Sequence, residues 1–244
     1  MARLKGKVAI VTGASRGQGA AVVRRFVDEG GKVVITDVLD TEGAALAQDL
    51  SDGASYHHLD VSNEEQWQGV VEATLEKHGK IDILVNNAGV FAPGSIRDTS
   101  LAQWERHYRV NLLGVFLGMK AVIEPMIAGG GGSIVNTASN TALRAIPGMF
   151  AYCSGKWGVR GMSKNAALDL APYNIRVNCV MPGIVDTPMY HLNGPEKMQE
   201  LDAMIPMGRR GEPEEIAALI AYLVSGEATY FAGSELVMDG AIFA

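Results

Sequence analysis

The chain has 244 residues, 48% hydrophobic and 20% charged, enough for one large α/β domain or two small ones. A formal net charge of −6 without any basic run argues against a nucleic-acid partner, and two cysteines, Cys153 and Cys179, without CxxC spacing or a His cluster, make neither a disulfide framework nor a zinc or other metal site. The start is too short for a signal peptide and the longest apolar run, 216–224, too short to span a bilayer, so a cytoplasmic protein without a membrane partner is expected.

In chain order, a β-branched run at 8–11 leads into Gly13-Ala14-Ser15-Arg16-Gly17-Gln18-Gly19 and then a helical pattern to Gly30. Strand, glycine turn and helix in that order suit a pyrophosphate. Glycines admit close backbone approach, and the helix N-terminus offers free N–H groups and a positive dipole end. The second strand, 32–36, ends at Asp37. A carboxylate there accepts both hydroxyls of an adenosine ribose and repels a 2′-phosphate, although it would equally N-cap the next helix. Arg16 pulls the other way, since a base in the loop pairs with such a phosphate. Asp37 weighs more, because it excludes the phosphate while an arginine tolerates its absence.

The third strand, 54–61, ends in Asp60 and Val61, and Asn63 caps a helix reaching Gly79. The fourth, 81–85, runs into Asn86-Asn87-Ala88-Gly89, small and polar as suits a loop pressed against a ligand. A long helix over 101–128 carries Asn111 in its middle, where the side chain competes for backbone hydrogen bonds and needs a reason. The fifth strand, 133–137, precedes Ala138-Ser139-Asn140, and the sixth, 174–180, is broken by Met181-Pro182-Gly183. A polar, Met-rich substrate segment at about 186–210, a helix capped at Glu212 and a last strand over 235–238 follow. Strands alternating with helices make one domain over 1–244: a doubly wound, seven-stranded parallel sheet with helices on both faces.

Tyr152 and Lys156 stand four apart in a helical segment, which puts both on one face. A phenol holds its proton to about pH 10, and an ammonium one turn away favours the phenolate. A shift of two to three units requires roughly 3–4 kcal/mol. One charge seldom supplies that, so a second cation such as an oxidised nicotinamide is expected beside the phenol.

Together these residues resemble the short-chain dehydrogenase/reductase family along the whole chain. The resemblance rests on Thr12-Gly13-x-x-x-Gly17-x-Gly19, Asn86-Asn87-Ala88-Gly89, Asn111, Ser139, Tyr152-x-x-x-Lys156, Arg176-Val177-Asn178 and Pro182-Gly183-x-x-x-Thr187-Pro188-Met189. Asp37-Val38-Leu39-Asp40, His58-Leu59-Asp60-Val61 and the run after Lys156 are similar to the family's bacterial NAD-dependent 3α,20β-hydroxysteroid dehydrogenase-like members. The resemblance implies a Rossmann fold and NAD as cofactor. It implies Tyr152 as general acid/base, Lys156 holding the nicotinamide ribose, Ser139 on the substrate oxygen and Asn111 holding a water in a proton relay. The cofactor would further meet Gly13, Ser15, Arg16, Gln18, Gly19, Asp37, Val38, Asp60, Val61, Asn87, Ala88 and Gly89, with Pro182, Gly183, Val185 and Thr187 around the carboxamide.

Three positions depart from the family pattern: Gly155 for Ser, Gln18 for an aliphatic residue, and Ala241 for the second Gly of Asp-Gly-Gly. None removes a catalytic atom. An NADPH-dependent 3-oxoacyl-thioester reductase is the alternative, allowed by Arg16 and opposed by Asp37. A non-catalytic sensor would be expected to have lost Ser139, Tyr152 or Lys156.

The substrate wall is expected from Asn140, Leu143, Ile146, Met149, Ile184, Met189, Tyr190 and Met204, with Phe91 at the rim and Arg144 the one cation. Such a wall suits a bulky hydrophobic ketone or secondary alcohol and has no obvious partner for a carboxylate. Val115, Met119, Val122, Met149 and Phe150 are expected to leave an apolar helical face, and the family resemblance implies a homotetramer.

Overall fold

Successive residues of a strand point to opposite faces, so a strand covered on both sides reads as a continuous apolar run. The computed structural model, which describes residues 2–244, divides the core in this way. Ile10, Val34, Leu84, Ile134 and Val177 enter one hydrophobic cluster, while their neighbours Val11, Val33, Ile35, Val85 and Val135 enter the other. The strands are β1 Val8–Thr12, β2 Lys32–Asp37, β3 Ala54–His58, β4 Ile83–Asn86, β5 Gly132–Thr137, β6 Ile175–Pro182 and β7 Glu235–Met238. All pair in parallel, in the order β3-β2-β1-β4-β5-β6-β7. This is the expected doubly wound α/β sheet.

The helices are α1 Gly17–Asp28, α2 Asp40–Asp49, α3 Glu64–His78, α4 Leu101–His107, α5 Gly114–Ala128, α6 Phe150–Leu170, α7 Pro195–Ala203 and α8 Pro213–Val224. Helices α1 and α8 cover one face through Val22, Phe26, Ile216 and Ile220; α3, α5 and α6 cover the other through Trp67, Val115, Val122 and Val159. Asn63 caps α3 by accepting from the Gln66 N–H at 3.1 Å, and Gly79 ends it at φ 76°. Asp37 does not cap α2, whose N-cap is Leu39.

The helix expected over 101–128 is interrupted: Tyr108–Leu113 is a π-helical turn between α4 and α5. Asn111 lies inside it and is fully buried. Such turns gather at functional sites, where a local insertion re-aims side chains. Strand β6 runs on through Met181 and Pro182, where a break was expected, by pairing with β7 as far as Met238. The Val180 carbonyl accepts from Ala138 on the β5 side, whereas the Gly183 N–H donates to Met238 on the other. The nitrogen of Pro182 therefore faces β5, which has already ended at Thr137, and no ladder bond is lost.

Ala241, the departure from the family ending, sits at φ 69°, in the left-handed region that favours glycine. An L-residue there carries roughly 1–2 kcal/mol of strain. Part of the relief from Ala241→Gly is offset by the larger chain entropy of glycine. A net gain of about 0.5–1 kcal/mol is expected, raising the thermal midpoint by about 1–4 °C at fixed protein concentration. A lower midpoint in calorimetry would show that the turn is not strained.

Candidate active site

Between β1 and β4 the chain order reverses direction across the sheet, and ligands of open α/β sheets bind outside the carboxyl ends at such a point. A cleft of about 660 Å³ opens there, running from Arg16 and Asp37 at one end to Met189 and Met204 at the other.

The first end is built from glycine. A Cβ on Gly13 would lie 2.6 Å from the Cα of Ala88, and one on Gly19 would lie 2.2 Å from the Gly13 oxygen, so neither position admits a side chain. The Asn87 side chain donates to the carbonyls of Thr12 and Gly13, both at 3.0 Å, and the Thr12 hydroxyl accepts from the N–H groups of Asn87 and Ala88. Gln18 donates to Asn87 Oδ1 at 3.2 Å, so its polar head is already engaged on the neighbouring loop. The two loops thus form one rigid cradle at the N-terminus of α1. Such a cradle fits a pyrophosphate.

Asp37 closes this end. Its carboxylate accepts from the N–H groups of Ser15 (3.0 Å), Val38 (2.8 Å) and Leu39 (3.2 Å). Ser15, expected against the cofactor, lies behind the wall and serves to hold Asp37. Val38, Asp60, Val61, Ala88 and Gly89 line the cleft as expected, and so do Pro182, Gly183, Val185 and Thr187 farther along.

At the centre, Ser139 follows β5 while Tyr152 and Lys156 project from α6. Three successive donors on α6 clamp the loop that carries Ser139. Lys156 Nζ reaches the Thr137 carbonyl at 2.8 Å, Trp157 Nε1 the Thr141 carbonyl at 2.9 Å, and Arg160 the Ala142 carbonyl at 3.1 Å. Arg160 is anchored in turn by a bidentate pair with Glu235 on β7. The Phe91 ring meets Tyr152 edge-on, with centroids 5.3 Å apart. Asn111 does not line the cleft. Its side chain accepts from the Val90 N–H at 2.8 Å and donates to the Val90 carbonyl at 2.9 Å, fixing the loop after Gly89.

Burial decides the protonation of this centre. It pushes the Tyr152 phenol up to about 12, opposed by the neighbouring Ser139 side chain, and pulls the Lys156 ammonium down to about 8. The depression expected from Lys156 is outweighed here: its Nζ lies 5.7 Å from the Tyr152 ring centre and is turned to Thr137.

The far end is apolar, with Ile146, Met149, Ile184 and Met189 on the walls beside Asn140. Tyr190 presents its ring there, but its hydroxyl donates away from the cleft, 2.8 Å from Asp202 Oδ1, and Arg210 stacks on the ring at 4.7 Å. The segment at 186–210 is closed at its base by a bridge between Val185 and Gly211. Leu143 packs into the core and Arg144 over the Phe243 ring, so neither lines the cleft. Arg106 and Ile242 do line it. Nothing in the local pattern marks them, since one lies on α4 and the other arrives from the chain's last turn.

A dinucleotide cradle joined to a Ser-Tyr-Lys centre defines a nicotinamide-dependent oxidoreductase of the doubly wound class. A family model described as enoyl-(acyl carrier protein) reductase matches residues 13–241. The chain is 45% identical over 238 residues to a 3-alpha-(or 20-beta)-hydroxysteroid dehydrogenase of Mycobacterium tuberculosis, covering 98% of this chain and 90% of the relative. It is 42% identical to a trans-4-hydroxycyclohexanecarboxylate dehydrogenase of Sinomonas cyclohexanicum (98% and 93% covered) and 41% to a cyclopentanol dehydrogenase of Comamonas testosteroni (98% and 98%). The chain belongs to the short-chain dehydrogenase/reductase family.

Proposed function

We propose that the protein interconverts a hydrophobic secondary alcohol and its ketone with NAD(H), Tyr152 acting as general acid/base. The observation that carries this is the cleft itself, which joins an Asp37-closed cradle and the Ser139-Tyr152-Lys156 centre to an apolar wall. NAD bound there supplies the hydride acceptor, or as NADH the donor, at the substrate carbon. Ser139 would hold the substrate oxygen, Tyr152 would exchange a proton with it, and Lys156 would favour the phenolate and help hold the nicotinamide ribose. The three relatives are named for ring-bearing alcohols, a class that the Met149, Ile184 and Met189 wall suits. Following reduced-nicotinamide absorbance across a panel of alcohols and ketones tests the assignment. A kcat/KM for small anionic or sugar-like substrates well above that for any hydrophobic ketone would overturn it.

Arg16 favours a second reading. It is exposed at the adenosine end and joins no ion pair among the described residues, as a 2′-phosphate would need for an NADPH-dependent 3-oxoacyl-thioester reductase. Asp37 beside it opposes that phosphate. The complete Ser-Tyr-Lys set weighs against a non-catalytic sensor.

The protein is further proposed to be a cytoplasmic homotetramer. Of the apolar residues from which one face was expected to remain after packing on the sheet, Val115, Met119 and Val122 lie in the core. The leftover face is formed instead by Phe116 and Leu168, 45% and 76% exposed, with Phe150 and Trp157. Light scattering at micromolar concentration is expected to report about four times the chain's 25.9 kDa. A monomer would refute the assembly.

A further inference from the structure

The Ser139 hydroxyl donates to Asn140 Oδ1 at 3.4 Å and accepts from the Thr141 N–H at 3.2 Å. Asn140 Nδ2 donates in turn to Oδ2 of Asp239, at 3.3 Å, just past β7. These bonds are long, as catalytic hydrogen bonds often are before substrate arrives. Their direction is nonetheless set. A carboxylate only accepts, so the NH₂ edge of Asn140 faces Asp239 and its oxygen faces Ser139.

Asp239 is held by the chain's last turn. The Ile242 N–H donates to the Asp239 carbonyl at 3.3 Å, and Gly240 and Ala241 are both left-handed, the conformation of a type I′ turn. The Phe243 N–H donates to Asp239 Oδ2 at 3.1 Å, and Gly183 makes room, since a Cβ there would lie 2.6 Å from the Asp239 Cβ. The same turn brings Ile242 to the cleft and accepts from the Met207 N–H through Gly240, which joins it to the substrate segment.

We propose that Asp239 is a positioning residue for the reaction: acting through Asn140, it sets the direction in which Ser139 carries its proton. That proton is directed at Asn140, and an arriving substrate oxygen competes for it. With Asp239 absent the amide of Asn140 is free to turn, and its NH₂ edge then leaves Ser139 without its acceptor. This inference rests on the role proposed above for Ser139.

Asp239→Ala is expected to lower kcat roughly three- to tenfold, the worth of one hydrogen bond. NADH affinity, measured by fluorescence, stays within twofold, because Asp239 does not line the cofactor end. Asp239→Asn, which can still accept from Asn140, keeps most of the turnover. Asn140→Asp alone sets two carboxylates together and loses activity. The exchange Asn140→Asp with Asp239→Asn restores an acceptor facing Ser139 and recovers it. In an Asn140→Ala background, Asp239→Ala adds no further loss.

Equal losses in both backgrounds, an unchanged kcat in Asp239→Ala, or an exchange variant no better than Asn140→Asp would overturn the proposal. Where Asp239→Ala fails to fold, the exchange variant alone decides. Wild-type turnover without coupling sinks this inference only, whereas no turnover of any secondary alcohol sinks the functional reading with it.

Discussion

Replacing Tyr152 by Phe is expected to lower turnover by about 10²–10⁴-fold, the usual worth of positioned acid–base assistance. The change removes the transferable proton and keeps the ring, so the edge-on contact with Phe91 survives. NADH affinity is therefore expected to stay within a few-fold. Single-turnover hydride transfer, with a deuterium isotope effect to show that chemistry is being timed, makes the comparison. A loss smaller than about tenfold would remove Tyr152 from the role.

The pH dependence follows from the same group. With the phenol pushed up to about 12, it is protonated at neutral pH, ready to donate to a ketone oxygen. Alcohol oxidation needs the phenolate instead, so its rate is expected to rise with pH while ketone reduction falls. An ammonium 5.7 Å from the ring centre contributes on the order of 3 kcal/mol at an effective dielectric of 20. That is about two pKa units, so Lys156 alone does not bring the phenol to neutrality, and a second cation in the cleft must supply the rest. Lys156→Met is expected to displace the oxidation profile to higher pH. A profile that stayed in place would show that the ammonium does not act on Tyr152.

The second large effect is in cofactor choice. Wild-type protein is expected to bind NADH on the order of 10²-fold more tightly than NADPH, because like charges a few ångströms apart repel by a few kcal/mol. Asp37 also has a mechanical part, since it gathers three backbone N–H groups. Asp37→Asn removes the charge and keeps an acceptor, whereas Asp37→Ala frees the Ser15, Val38 and Leu39 amides as well. The asparagine variant is thus expected to gain NADPH affinity with little loss for NADH, and the alanine variant to weaken both. Fluorescence titration separates the two. Tighter NADPH binding by wild type would overturn the preference.

Much of this was legible in the residues themselves. Continuous apolar runs, glycine turns and helix caps are local signals, and they sufficed for seven strands and their parallel arrangement, whereas Ser139 was assigned to the site only through the family resemblance. Spacing placed Tyr152 and Lys156 on one face because a helix imposes that geometry wherever it packs. Asn111 called for a reason because its side chain is a poor fit to a regular helix, and the π-helical turn supplies it.

Only the tertiary structure decided what each group faces. Burial, which depends on everything packed around α6, reversed the expected direction for the Tyr152 phenol. Ser15 turned out to hold Asp37, Asn111 to pin Val90, and Tyr190 to give its hydroxyl to Asp202. The same packing put Val115, Met119 and Val122 in the core and brought Ile242 and Arg106 to the cleft. Local pattern specifies which face a residue takes on its own strand or helix, because that follows from backbone period alone. Which partner waits across that face depends on elements far away in the chain, and only the folded sheet brings them together.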